Sequence, residues 1–251
     1  MVLGFIFALI IGLSLGIMGG GGSILTVPVF VYVLEMEAKT AIALSLAVVG
    51  TASLVGSFGH LRRGNVDIKM ALIFGSVAMV GTFLGAKLSI YLTAVVQLLL
   101  FAVVMLIAAA FMFKEKKQNL EVDKSSSNLD LLWIVLEGLG VGILTGIVGV
   151  GGGFMIVPAL VLLGNVTMKK AVGTSLLVIA MKSFSGFYGY MGIVEIPWNF
   201  LLSFTFVTIL GILVGPFLID FISDKVLKKS FALFLVLMSF FIIYQNRDVL
   251  L

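Results

Sequence analysis

Gly16-Ile17-Met18-Gly19-Gly20-Gly21-Gly22-Ser23, followed by Pro28, is the stretch on which the fold turns. Four adjacent glycines cost roughly 1 kcal/mol each inside a helix, so an apolar helix entering this stretch stops and a new one begins. The new run, Ile24 to Leu34, is too short at about 1.5 Å per residue to cross a hydrocarbon core of about 30 Å. The pattern returns as Gly146-Ile147-Val148-Gly149-Val150-Gly151-Gly152-Gly153 with Pro158, and its short run is Phe154 to Leu163. Gly12, Gly16, Gly19, Gly21, Gly22, Val27, Pro28, Ala41 and Ser45 recur as Gly142, Gly146, Gly149, Gly151, Gly152, Val157, Pro158, Ala171 and Ser175, each 130 positions on. Gly81 and Gly85 recur in that register as Gly211 and Gly215, and Gly64-x-Val66-Asp67 returns as Gly192-x-Val194-Glu195 at an offset of 128. So long a period marks a duplicated domain, not a solenoid.

The 251 residues are 61% hydrophobic and 11% charged, against roughly 45–50% and about 25% in soluble domains. The chain therefore reads as an all-α polytopic membrane protein. Eight runs approach spanning length, at 2–18, 40–60, 69–90, 93–113, 130–149, 171–190, 198–221 and 230–245. The first lacks a basic n-region and a small-residue cleavage site, so it reads as a retained helix. Residues 1–113 form the first repeat, 114–129 a cytoplasmic linker and 130–251 the second repeat. Cysteine is absent and His60 is the lone histidine, which excludes disulfides and argues against a metal site. Without a P-loop or Rossmann context, no cofactor is expected.

The formal charge of +4 resides in short loops, where it sets orientation and does not signal nucleic acid. Arg62 and Arg63, Lys114 to Lys124, Lys169 and Lys170, and Lys225 to Lys229 fall on one side if helices alternate. That side is then cytoplasmic and both termini are outside. Each half crosses an odd number of times, so the halves are inverted repeats of about five segments, as in many secondary transporters.

Backbone that breaks at membrane depth is tolerated only against protein or a water-filled cavity. A restarting helix offers free N–H groups and a positive dipole end, and glycine lets an anion come close to them. The residues expected to hold such an anion are Gly20, Gly21, Gly22 and Ser23 in the first half and Gly151, Gly152 and Gly153 in the second. Ser45, Thr174 and Ser175 follow the short helices, where their hydroxyls serve either an anion or the helix backbone. Lys182 lies inside an apolar run, a costly place for a charge, and Glu137 is its potential partner or the carrier of a coupling proton. Gly12/Gly16 and Gly142/Gly146 read as helix-packing positions. His60 and Lys87 sit near span ends and read as interfacially solvated; Trp198 and Tyr190 read as aromatic-belt residues, and Asp67 and Glu195 as starting the next helix.

The duplicated Gly-x-x-x-Gly-x-Gly-Gly-Gly-x-x-x-Val-Pro motif, nearly intact in the first half, resembles the sulfite exporter TauE/SafE family of membrane transporters over both halves. That resemblance implies a prokaryotic inner-membrane permease for sulfite, sulfoacetate or related organosulfur or organic anions. The first half departs from the motif at Gly20, where the second has Val150, and at Ser23, where it has Gly153. Without an ATP-binding motif, transport would run on a gradient of substrate or of a coupling ion, proton or sodium, by alternating access. An anion-selective channel could use the same breaks. A membrane enzyme would need clustered acids, bases or metal ligands, whereas the chain shows scattered single groups.

Overall fold

A computed structural model describes residues 2–113, 128–148, 153–162 and 166–247. The first half contains α1 (Val2–Met18), α2 (Gly21–Pro28) with a π-helical extension Val29–Val33, α3 (Ala38–Arg62), α4 (Ile68–Leu88) and α5 (Ala94–Phe113). The second repeats the series as α6 (Asn128–Val148), α7 (Gly153–Leu162), α8 (Met168–Tyr190), α9 (Trp198–Leu218) and α10 (Asp224–Gln245). Even the single 3₁₀ turn between the fourth and fifth helices recurs, as Ser89–Tyr91 and Ile219–Phe221.

Six helices among the described residues are long and apolar enough to cross a membrane: α3, α4, α5, α8, α9 and α10. The other two of the eight expected runs are the helices α1 and α6. The 17 residues of α1 end at the glycine break, and the 21 residues of α6 end at Val148. In the first half the chain folds back at its break. Gly19 takes φ +62°, a left-handed conformation that ends helices and that glycine adopts without strain. Its N–H donates to the Leu15 carbonyl at 2.8 Å. Beyond it α2 descends along α1, with Gly22 against the Ile11 carbonyl and Leu34 against Gly4. Pro28 lacks an N–H, and the helix widens after it, Leu34 N–H reaching the Val29 carbonyl at 3.0 Å. The return arm is pinned by Phe30, fully buried and edge-on to Phe204 at 4.8 Å between ring centroids.

Two glycine seams join the halves. Gly12 and Gly16 of α1 lie on Gly211 and Gly215 of α9, so these helices run parallel; Gly142 and Gly146 of α6 lie likewise on Gly81 and Gly85 of α4. A Cβ on Gly16 would come within 2.7 Å of the Gly215 Cα. In lipid, where no hydrophobic force separates helix from tail, such close small-residue packing is a main source of association. The packing expected for Gly12/Gly16 and Gly142/Gly146 is therefore present.

At the centre, α3 and α8 are the most enclosed spans, with 78% and 67% of their best apolar windows buried. They cross antiparallel: Leu46 meets Gly186, Gly50 meets Ser183, Leu176 meets Gly56, and His60 meets Gly173. The residue numbers at these contacts add to 232 or 233, and Gly50 also reaches Phe184, one position on. Under the 130-residue repeat that register centres on the counterparts Thr51 and Met181. Repeat-related helices crossing antiparallel about such a point fit an inverted duplication. Parallel packing of α3 with α9, through Gly56 on Ile212, and of α8 with α4, through Gly186 on Thr82, obeys the same relation.

These directions gather the connections after α3, before α8 and after α9 at one end. Arg63 pairs there with Asp220, the Lys169 ammonium donates to the Asp220 carbonyl at 3.3 Å, and the Met168 N–H donates to Asp224 at 3.1 Å. The basic residues described in these loops thus share an end, as their spacing predicts. Asp67 caps α4 by accepting from the Met70 N–H at 2.9 Å; Glu195 precedes Pro197, which takes the cap position of α9. The Arg63–Asp220 side chains are 28% and 46% exposed, so solvent screens the pair. Asp220→Asn should lower stability by less than about 1 kcal/mol, measurable as a small shift of the thermal midpoint in detergent.

Two readings change. His60 is fully buried and Tyr190 is 2% exposed, so neither sits at a wet interface. They are repeat counterparts, each turned into the α3/α8 region by the antiparallel crossing. Trp198 is exposed, as a belt residue is, and Lys87 is exposed with its ammonium 4.8 Å from the Phe83 ring centroid.

Candidate functional site

The opening residues of the two short helices touch. A Cβ on Gly153 would lie 2.6 Å from the Gly20 Cα and would press on Ile179 of α8. On the other side of the same tip, a Cβ on Gly19 would strike the Ser175 hydroxyl. Ser175, Ile179 and Lys182 are spaced i, i+4 and i+7, one face of α8. Gly19 and Gly153 therefore both lean on the stripe that carries Lys182.

Lys182 is 0% exposed and its ammonium nitrogen has no hydrogen-bond partner among the described residues. Side chains on a helix lean toward its N-terminus, which for Lys182 is the turn of Ile179, where Gly153 and Gly20 meet. Its counterpart Ala52 is also fully buried. Glu137, the partner suggested by sequence, has a described backbone in α6, but its side chain lies outside the described residues.

The other predicted positions divide. Gly151 and Gly152 lie outside the described residues. Gly20, Gly21, Gly22 and Ser23 are all buried at the start of α2. Ser23 donates to the Gly20 carbonyl at 2.6 Å, tightening the first turn. Gly21 faces Met18 and Ser14, and Gly22 closes the two hairpin arms. Ser45 is fully buried with no partner for its hydroxyl among the described residues, whereas Ser175 donates to the Val172 carbonyl at 2.8 Å. The Thr174 hydroxyl accepts the Asp67 N–H at 2.9 Å, tying α8 to the start of α4 at the basic end.

Sequence reasoning missed the groups that hold the breaks in place. A helix that stops leaves carbonyls of its last turn without donors. The Gly16 carbonyl at the end of α1 takes the His60 ring Nε2 at 2.9 Å, and the Ile147 carbonyl at the end of α6 takes the Gln97 side-chain amide at 2.8 Å. Because a carbonyl only accepts, Nε2 of His60 must carry the proton. The available signals were the lone histidine and the lone amide inside the apolar run 93–113. His60→Leu leaves the buried Gly16 carbonyl unpaired and should cost about 1–3 kcal/mol; His60→Gln, which keeps a donor, should cost less. Thermal unfolding of the two variants in detergent decides, and equal midpoints would remove the capping role.

Six apolar spans in two repeated halves define a multi-pass helical membrane protein, and comparison with known proteins agrees and adds the family. The chain belongs to the sulfite exporter TauE/SafE family, whose model matches residues 4–242. It is 29% identical over 227 residues to the probable membrane transporter protein YdhB of Bacillus subtilis (strain 168), a match covering 88% of this chain and 91% of that protein. A probable membrane transporter protein of Xylella fastidiosa (strain Temecula1) is 28% identical over 244 residues, 94% of this chain and 92% of the relative. One from Haemophilus influenzae (strain Rd) is 25% identical over 248 residues, 91% and 92% of the two chains. No solved structure matches the chain.

Proposed function

We propose that this protein is a secondary transporter of small anions in a prokaryotic inner membrane, working by alternating access on sulfite, sulfoacetate or related organosulfur or organic anions. The observation that carries this reading is Lys182, a fully buried ammonium without a described partner, on the helix face where Gly19 and Gly153 lean. An uncompensated charge at such depth is expensive, and an anion between the hairpins supplies the missing counter-charge. The free N–H groups that open α2 and α7 add dipoles of the matching sign. The residues we assign to the anion are Gly20 to Ser23, Gly151 to Gly153, Ser45, Thr174, Ser175 and Lys182. Family membership supports transport, and the sulfur-containing cargo follows the family's description.

The test is uptake of sulfite and of small sulfonates and carboxylates by proteoliposomes containing the purified protein, with and without imposed proton or sodium gradients. Saturable uptake driven by a gradient is expected; flux that rises without saturation would assign an anion channel instead. Orientation follows from the shared basic end, which we assign to the cytoplasm with both termini outside. The chain has no cysteine of its own, so single cysteines at positions 63 and 228 report cleanly. Both should react with impermeant maleimide only in inside-out vesicles, and labelling from the outer face reverses the assignment.

A further inference from the structure

We infer that the transported anion docks on the pseudo-two-fold axis between the halves, with Lys182 as its single fixed counter-charge and the hydroxyls of Ser53 and Ser183 as donors to its oxygens. This rests on the anion-carrier reading above and gives that site a position and a ligand chemistry, a compact oxyanion.

The position follows from the crossing register. Contacts between α3 and α8 keep a sum of 232 to 234 about Thr51 and Met181, and both serines and Lys182 lie within two residues of that centre. Ser183 packs on Gly50, its Cβ 3.1 Å from where a Gly50 Cβ would stand. Ser53, three residues from Gly50, lies one turn further along the same crossing. Both serines are fully buried. A buried serine inside a helix ordinarily donates to a carbonyl three or four residues back, as Ser175 and Ser239 do here. Ser53 and Ser183 do not: neither hydroxyl has a partner among the described residues. Seven buried side-chain atoms share that condition, and these two are the one pair among them related by the repeat. The same unpaired hydroxyl thus stands at both equivalent positions of the repeat. An unpaired buried hydroxyl destabilises, and two of them beside an unpaired ammonium form a donor set that lacks its acceptor. Hydroxyl and ammonium donors gathered within two residues of one helix crossing suit an anion with several oxygens.

The two-fold relation also makes a prediction that packing alone does not. Ala52 occupies the Lys182 position in the other half, so a lysine there reaches the axis from the opposite side.

The experiment measures thermal midpoints in detergent, without ligand and with sulfite, methanesulfonate or acetate, together with proteoliposome uptake. Lys182→Met should weaken anion binding at least tenfold. The Ser53→Ala/Ser183→Ala pair should weaken it severalfold while raising the ligand-free midpoint, because two unsatisfied hydroxyls are gone. Ala52→Lys with Lys182→Ala should regain binding lost in Lys182→Ala alone. A lowered ligand-free midpoint in the serine pair makes those hydroxyls structural and overturns the proposal, and so does unchanged anion affinity in both Lys182→Met and the serine pair. If Ala52→Lys does not fold, these two variants decide alone. Failure of the unaltered protein to bind or carry any of the three anions would defeat the carrier reading itself, whereas uptake that survives in every variant defeats only the axial site.

Discussion

Replacement of Gly215 by valine should leave almost no folded protein in the membrane. A Cβ at this position overlaps the Gly16 Cα and carbonyl carbon of α1, backbone atoms that cannot rotate away as a side chain would. The helices must separate along the whole α1–α9 seam, and with them the contacts at Gly12 and Gly211. Overpacking of a tight interface costs about 1–3 kcal/mol and sometimes more, a large part of a marginal stability of about 5–15 kcal/mol. Loss of lipid-phase packing adds to it, because no hydrophobic force pushes the helices back together. The related change Gly146→Val should behave alike, since a Cβ there meets the Thr82 carbonyl. Gly140→Ala is the control: nothing lies within 4 Å of its Cβ position, and alanine favours the helix by up to about 1 kcal/mol. Fluorescence-detected size exclusion of solubilised membranes reads all three. A monodisperse Gly215→Val protein at normal abundance would show that the seam is not a principal support of the fold.

Lys182→Glu should abolish anion uptake. The substitution keeps a buried charge but turns attraction for the substrate into repulsion. Two unit charges about 4 Å apart at an effective dielectric constant near 20 interact by about 4 kcal/mol, so the sign change is worth more than the roughly hundredfold in affinity that about 2.7 kcal/mol represents. Proteoliposome uptake across a range of sulfite concentrations, read beside the thermal midpoint, separates a lost site from a lost fold. Persistent saturable uptake in Lys182→Glu would mean that the lysine does not face the substrate and that backbone and hydroxyl dipoles alone hold it.

How much of this was legible in the sequence differs between elements. The glycine breaks were, because adjacent glycines and a proline act on the local backbone, and the short runs after them became α2 and α7. The basic loops were, because charge partition depends on order along the chain and not on packing partners. The extent of the first helix was legible, 2–18 against Val2–Met18; hydropathy does not see Gly19 turning the chain back along α1. His60 and Tyr190 were placed at the interface because both stand near helix ends, and a helix end can still be covered by another helix. Ser53 and Ser183 were visible as counterparts at the repeat offset. Their lack of partners was not, since a serine that donates to its own helix and one that does not look the same in sequence.

By itself the sequence determined that this is a membrane protein of two related halves, where each half breaks, and which loops share a side. Those properties follow from composition, local backbone preference and a period along one chain. Only the tertiary structure decided that α1 packs on α9 and α6 on α4, and that α3 and α8 cross at Thr51 and Met181. It alone brought Lys182 to the face where Gly19 and Gly153 lean. The physical reason is that these contacts join residues as far apart as Gly12 and Gly211, between helices whose local patterns would tolerate other partners. The choice falls to the pairs of glycine surfaces that fit when both halves are folded together.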